Sequence, residues 1–397
     1  MIDTSSPSGK IAVLVCDDSA LMRKMIKEMI EEDQSLSVVA TAANGLFALK
    51  KIPVVKPDII ILDIEMPEMN GLEFLEECKK QGITIPVIVL SSLVKKGARI
   101  TMKALELGAK DFILKPSGSI SQDINKVRDE LIRLIHVYCG RSFFKHNIDF
   151  RDEPSEIFSN LSKAFAPRTF TPITTSMQQL HEATTGASLN TRNFPPPVKL
   201  RPTHGKVEIV VIGISTGGPV ALREMLPILP KGFPVPVLIV QHMPSGFTKE
   251  FAESLDAICN VDVVEAKDAD VVLPGKVYIA PGDKHIQINR MSLATLLNLS
   301  DSPSENGHKP SVDVLFRSAA NSYGNQVLAV LMTGMGRDGA KEMGTIYNAG
   351  GRTIAQGERS CTVYGMPRVA IENGYVDEVI ELSGIARRII ALTQLGR

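Results

Sequence analysis

Tryptophan is absent from the 397 residues, aromatics make up only 5% of them, and no apolar run approaches the roughly 20 residues that cross a bilayer. The shortage of aromatics leaves aliphatic side chains to fill any core. With 44% of residues hydrophobic they suffice, a composition usual in α/β proteins. Met1 to Lys10 is polar and has no signal-like apolar centre, so membrane insertion is not expected and a cytoplasmic location is. The five cysteines, Cys16, Cys78, Cys139, Cys259 and Cys361, are scattered, odd in number and never in a C-x-x-C pair. That pattern argues against a disulfide framework or a zinc site and fits a reducing compartment. Charge of either sign is not in excess: Lys plus Arg and Asp plus Glu number 44 each, so no basic field attracts phosphates and nucleic acid is not an expected partner.

At this length two domains are expected. Ile11–Cys16, Leu36–Ala40, Ile59–Leu62, Pro86–Leu90 and Asp111–Leu114 read as strands and alternate with helical patterns as far as about Tyr138. Such β–α units imply a parallel sheet covered on both faces. From Arg141 to Gly205 periodicity fails, and Pro154, Pro167, Pro172, Pro195, Pro196, Pro197 and Pro202 stand among many Ser and Thr, which reads as a flexible linker. Order resumes with the aliphatic runs Val207–Ile212 and Val235–Val240. Lys276–Ile279, His285–Ile288 and Gln326–Leu331 are further strand candidates, while Gly339–Ala349 and Val379–Leu395 look helical. The expected fold class is α/β: a flavodoxin-like (βα)5 domain over residues 1–140, a linker over 141–205, and a doubly wound, mostly parallel domain over 206–397.

In an open parallel sheet the loops beyond the carboxyl ends of the strands face a shared crevice. Asp17 and Asp18 follow the first strand, Asp63 the third, Ser91 the fourth and Lys115 the fifth. Three carboxylates at one edge repel unless a hard divalent cation sits among them, and Mg²⁺ accepts such oxygens with waters and phosphate oxygens completing its octahedron. Taken singly, these residues have plainer readings: Asp17-Asp18-Ser19 as a helix cap, Asp63 as the start of a turn before Pro67. All five types together at strand ends are hard to obtain by accident, and residues 10–138 resemble the response-regulator receiver domain. The resemblance implies that Asp63 is phosphorylated, that Asp17, Asp18 and Asp63 hold Mg²⁺, and that Ser91 and Lys115 bind the phosphoryl group. Lys115-Pro116 also matches that family's lysine–proline step. A phosphoryl group adds up to about two negative charges and three acceptor oxygens, enough to draw Ser91 and Lys115 inward and rearrange a neighbouring surface.

In the second half, Ile212 to Pro219 lies between an expected strand and an expected helix. Its glycines give neither G-x-G-x-x-G nor a P-loop, which makes nucleotide binding the weaker option. Gly213-Ile214-Ser215-Thr216-Gly217 does fit G-x-S-x-G, where small neighbours let a serine stand exposed on a sharp strand-to-helix turn. The serine needs a base. His242 ends the next aliphatic strand, and adjacent parallel strands would bring both tips together. Most lone histidines are structural, so position carries this inference. Asp338, in Thr333-Gly334-Met335-Gly336-Arg337-Asp338-Gly339, is the candidate carboxylate that fixes the imidazole tautomer, with a helix N-cap as its plainer reading.

The order Ser, His, Asp differs from the Ser, Asp/Glu, His of α/β-hydrolases. Gly213 to Gly218, Gln241 to Pro244 and Thr333 to Gly339 together resemble the chemotaxis protein-glutamate methylesterases. That resemblance implies Ser215 as nucleophile, His242 as general base and then acid, and Asp338 as its orienting carboxylate. Thr216 would lie beside the nucleophile and Met335 would give a backbone N–H to the oxyanion hole. The Ala280–Asp283 and Pro310–Asp313 runs would line or support the site, while Asp283 and His285 stand as rival acid–base residues. The implied partners are methyl-accepting chemotaxis receptors as substrate and a chemotaxis histidine kinase as phosphodonor. The implied reaction is hydrolysis of glutamate methyl esters, with deamidation of receptor glutamines by the same chemistry, and no cofactor is implied in the second domain. The receiver is expected to cover the Ser215 crevice until Asp63 is phosphorylated. Two other readings stand beside this one: a serine hydrolase of another ester or amide, or a receiver joined to a non-catalytic ligand-binding domain.

Overall fold

The aliphatic runs fold into two parallel sheets, seen in a computed structural model that describes residues 9–91, 95–115, 123–140 and 202–394. The expected linker lies outside the described residues except for its last four. In the first half β1 (Ile11–Cys16), α1 (Ala20–Glu31), β2 (Leu36–Ala42), α2 (Gly45–Val55), β3 (Ile59–Asp63), α3 (Gly71–Lys80), β4 (Val87–Ser91), α4 (Lys95–Glu106), β5 (Asp111–Leu114) and α5 (Asp123–Tyr138) alternate. The sheet order is β2-β1-β3-β4-β5, every pair parallel. β1, β3 and β4 are buried at every position, because helices cover both faces and leave no side for a polar residue. Helix starts are capped locally: the Ser19 side chain accepts from Met22 N, and Asn70 forms a capping box with Glu73. Since Ser19 is the cap of α1, Asp17 and Asp18 lie ahead of the helix at the sheet edge.

The second half runs β6 (Ile209–Ile214), α6 (Gly218–Met225), β7 (Val237–Gln241), α7 (Phe247–Asp256), β8 (Asp262–Glu265), β9 (Lys276–Ile279), β10 (His285–Arg290), β11 (Thr295–Ser300) and α8 (Val312–Tyr323), then β12 (Val327–Leu331), α9 (Ala340–Asn348), β13 (Arg352–Gln356), α10 (Met366–Glu372), β14 (Glu378–Ile380) and α11 (Leu382–Gln394). Seven strands make one parallel sheet in the order β14-β13-β12-β6-β7-β9-β8. From β6 the chain builds outward to β7 on one side and later returns to place β12 on the other. The strand order therefore reverses at β6, where a crevice opens in folds of this kind.

Three sequence expectations need correction. β6 and β7 begin two residues later than the apolar runs, since Val207 and Val235 are buried without pairing. The segment Val379–Leu395 is not one helix: Val379 and Ile380 finish β14 and the helix starts at Leu382. His285–Ile288 is a strand, but it pairs antiparallel with β11 in a separate two-stranded ribbon. All described residues fall in one compact unit that takes in both halves of the chain.

Candidate active site

At the carboxyl edge of the first sheet, ligand oxygens of Asp17, Asp18 and Asp63 lie within 4.8 Å of one another. Lys115 Nζ reaches Asp17 Oδ2 at 2.9 Å and Asp63 Oδ2 at 2.8 Å, so an ammonium offsets their charge. Burial pushes the Asp63 carboxyl up and Lys115 works against that rise. A set of hard carboxylate oxygens at this spacing suits Mg²⁺. Asp18, Asp63, Ser91 and Lys115 line one cleft. The Ser91 hydroxyl lies 2.6 Å from Thr101 Oγ1, whose own hydrogen goes to Gly97 O at 2.8 Å, so Ser91 is the donor of that pair and is tied to α4. Pro116 lies outside the described residues.

In the second sheet the segments holding Ser215, His242 and Asp338 leave three neighbouring central strands, β6, β7 and β12. Ile214 and Gln241 are register partners, His242 N donates to Ile214 O at 3.2 Å, and Ser215 N donates to Thr333 O at 2.9 Å. The elbow demands glycine on both sides. Gly217 has φ 77°, and a Cβ there would sit 2.2 Å from Thr362 Oγ1. A Cβ on Gly334 would come within 2.8 Å of Ser215 Cβ, so the backbone leading into Met335 passes directly against the serine.

His242 Nε2 lies 2.8 Å from Asp338 Oδ2. Asp338 also accepts from Ser311 Oγ at 2.7 Å, Asn306 Nδ2 at 2.8 Å, Val312 N at 2.6 Å and Asp313 N at 3.3 Å, the last two from the first turn of α8. Burial opposes its ionisation, but His242, Asn306 and Ser311 hold its carboxyl well below the usual carboxylate range, and the helix dipole acts in the same sense. Its backbone neighbour Gly339, and not Asp338, is the N-cap of α9. A carboxylate only accepts, so Nε2 carries the hydrogen and Nδ1 holds the basic lone pair. Among the described residues Nδ1 is buried with no hydrogen-bond partner. The Ser215–His242 bond that the sequence leads one to expect is thus not made in this arrangement. Such bonds are often long without substrate and tighten in the complex. His285 is no rival base: its Nε2 meets Pro303 O at 3.1 Å and its Nδ1 takes the Ser311 N–H at 3.2 Å.

Sequence reasoning missed several groups here. The His308 ring stacks on His242 with centroids 3.8 Å apart and 9° between planes. Burial, aided by the charges of His242 and Arg133, pushes the His308 imidazole down to about 4. Asn306 Nδ2 donates both to Asp338 and, at 2.7 Å, to Asp313 Oδ2, and burial pushes the Asp313 carboxyl up to about 6. The Asn306-Gly307 pair that carries these residues is a hairpin signal visible in the sequence.

The first half of the chain reaches this crevice. Arg133, on α5, donates to Thr216 Oγ1 at 3.2 Å and to Met335 Sδ at 3.1 Å. Gly217 N donates to Asp111 Oδ2 at 3.4 Å, and Tyr138 Oη lies 3.1 Å from the same oxygen. Burial pushes the Asp111 carboxyl up. Nearby, Arg223 pairs with Glu106 at 3.4 Å and the Phe112 and Phe247 rings stack at 4.9 Å. On β5, the edge strand of the first sheet, Phe112 and Leu114 are only partly buried.

Residues 210–389 match the family model described as CheB methylesterase, and residues 13–125 match the response regulator receiver domain. A Treponema denticola protein named protein-glutamate methylesterase/protein-glutamine glutaminase is 47% identical over 379 residues, 96% of this chain and 97% of its own length. The protein of the same name from Salmonella typhi is 38% identical over 389 residues, 98% of this chain and 99% of its own. Among solved structures, the Thermotoga maritima CheB methylesterase catalytic domain is 44% identical, covering 47% of this chain and 98% of that one with a TM-score of 0.46.

Proposed function

The chain belongs to the CheB protein-glutamate methylesterase family, and from that membership we propose that it hydrolyses glutamate methyl esters of chemotaxis receptors, and deamidates receptor glutamines, under control of phosphorylation at Asp63. The observation that carries the reading is the His242 Nε2–Asp338 Oδ2 pair at 2.8 Å, which leaves Nδ1 basic and uncommitted at the strand tip beside Ser215.

In this reading the Ser215 hydroxyl attacks the ester carbonyl while His242 Nδ1 takes its proton, and Asp338 steadies the imidazolium through Nε2–H. The oxyanion meets the backbone N–H of Met335, with Thr216 supporting the neighbouring wall. The imidazolium returns its proton to the methoxide, methanol leaves, and a water activated by His242 cleaves the acyl-enzyme to free glutamate. A glutamine follows the same course with ammonia as the leaving group, for which that proton is indispensable.

The receiver occupies residues 1–140 and the esterase 206–397, joined through 141–205. Asp17, Asp18 and Asp63 would hold Mg²⁺, which offsets the charge of an incoming phosphoryl group. Lys115 and Ser91 then turn to the phosphoryl oxygens. Lys115 directly follows β5, whose other end carries Asp111 and Phe112, so a change at Lys115 is passed along one short strand to the contact with Gly217. A chemotaxis histidine kinase is the phosphodonor and the protein works in the cytoplasm. Among the described residues no helix is long and apolar enough to cross a membrane.

The test is methanol release from methyl-labelled receptor, with and without a small phosphodonor and Mg²⁺. Release should rise with the phosphodonor in the intact chain, stay unstimulated in Asp63→Asn and vanish in Ser215→Ala. No methanol from the intact chain would favour another ester or amide as substrate, and release surviving in Ser215→Ala would remove the serine from the chemistry.

A further inference from the structure

Between β11 and α8 the chain makes a tight turn, Glu305-Asn306-Gly307-His308, closed by Glu305 N to His308 O at 3.1 Å and His308 N to Glu305 O at 3.0 Å. Asn306 has φ 54° and Gly307 φ 79°, the two left-handed positions of a type I′ turn. Two of its three side chains face acid–base machinery and the third anchors it. Glu305 is clamped by the Arg317 guanidinium, which also binds Glu342 at 3.0 Å, so the turn is anchored to α8 and α9. The Asn306 amide bridges Asp338 and Asp313. The His308 ring lies flat on His242.

We propose that this turn is a positioning element of the hydrolysis, with His308 as the flat support that holds the His242 ring edge-on to Asp338 and keeps Nδ1 free for the serine proton. The proposal rests on the reading of Ser215 and His242 as nucleophile and base. The physical need for a support is plain from the geometry. A single hydrogen bond through Nε2 fixes one end of the imidazole but not rotation about that bond, and among the described residues Nδ1 has no partner to fix the other end. A ring stacked at 3.8 Å and 9° removes that freedom. Asp338, from the loop after β12, is the charge bonded to His242, and Arg133 from α5 joins His242 in opposing a charge on His308. A second imidazolium beside them would oppose the one formed in the reaction. Because His308 is pushed down to about 4, it stays neutral through the working range, and its π face then favours the His242 cation.

The test compares His308→Phe with His308→Leu in the full-length chain, two fillings of similar volume of which only Phe offers a ring. The readout is the rate at which a fluorophosphonate probe labels Ser215 across pH 5 to 9, which needs the nucleophile and base but no receptor. His308→Phe should label within about threefold of the unaltered chain with the same acidic limb. His308→Leu should fall by about tenfold, with the apparent pKa of the limb moved down, the size expected for a lost cation–π support. Equal rates for Leu and Phe, whether both normal or both impaired, would overturn the proposal. Absence of labelling in the unaltered chain would instead strike at Ser215 as nucleophile, and labelling without methanol release would strike only at the substrate.

Discussion

Arg133 is the residue through which closure of the receiver over the esterase can be weighed. Truncation as Arg133→Ala removes its bonds to Thr216 Oγ1 and Met335 Sδ and leaves the rest of the contact, Asp111 on Gly217, Glu106 with Arg223 and Phe112 on Phe247, in place. A hydrogen bond from a charged donor contributes about 1.5–3 kcal/mol, and since thioether sulfur is a weak acceptor the pair together falls in that range, not at twice it. At about 1.4 kcal/mol per factor of ten, the closed state loses roughly 10- to 100-fold against the open one. Regained hydration of the freed surface favours the lower figure. Methanol release without phosphodonor should therefore rise about tenfold in Arg133→Ala, while the rate with saturating phosphodonor and Mg²⁺ stays within about twofold of the unaltered chain. An unchanged basal rate would refute the argument. So would a fall in both rates together, since that would make Arg133 part of the chemistry or of the fold.

Asp338→Asn keeps the size of the side chain but can offer its amide to Nε2, which reverses the tautomer; kcat should drop by about 10³–10⁴ with KM little changed, and a loss below tenfold would remove Asp338 from its role. Asp313 predicts a pH dependence of stability: its folded pKa is raised from 3.8 to about 6, so the penalty for ionising it is complete above 6 and gone below 3.8. At about 1.4 kcal/mol per pH unit the fold should gain roughly 2 kcal/mol from this group between pH 7 and 4.5, whereas Asp338, held low, begins to cost stability only below 3.8. Urea unfolding at pH 7 and 4.5 should show that gain shrink in Asp313→Asn, and an equal gain in both chains would refute the assignment.

The sequence made the strand tips legible because a strand buried on both faces must be apolar throughout, so the first polar residue after Ile11–Cys16, Ile59–Leu62 or Gln326–Leu331 marks the edge. The two-residue offset in β6 and β7 did no harm, since both ends still fall just before Ser215 and His242. Glu378–Ile380 escaped because three residues with mixed exposure carry no period of their own beside a strongly amphipathic α11. Arg133 escaped for a different reason. On α5 it looks like any solvated helix charge, and its partners lie 83 and 202 positions away, a distance that no local pattern encodes. His308 lay between the two, since Asn306-Gly307 announces a turn but not what the turn will press against.

The groups engaged by the receiver are the ones the reaction would use. Arg133 binds Thr216 and Met335, and Asp111 binds the amide of Gly217, so the closed contact takes up the wall beside Ser215 and the residue proposed for the oxyanion hole. In this arrangement the Ser215–His242 bond is also not made, although Asp338 already holds His242. On the proposed reading, substrate and receiver would compete for one surface, and inhibition would need no distortion of the triad. By linkage, whatever factor phosphorylation contributes to substrate binding, bound substrate must return to the open, phosphorylatable receiver. Closure held by a few polar contacts and one aromatic stack is consistent with a switch of a few kcal/mol, small enough for a phosphoryl group on Asp63 to reverse.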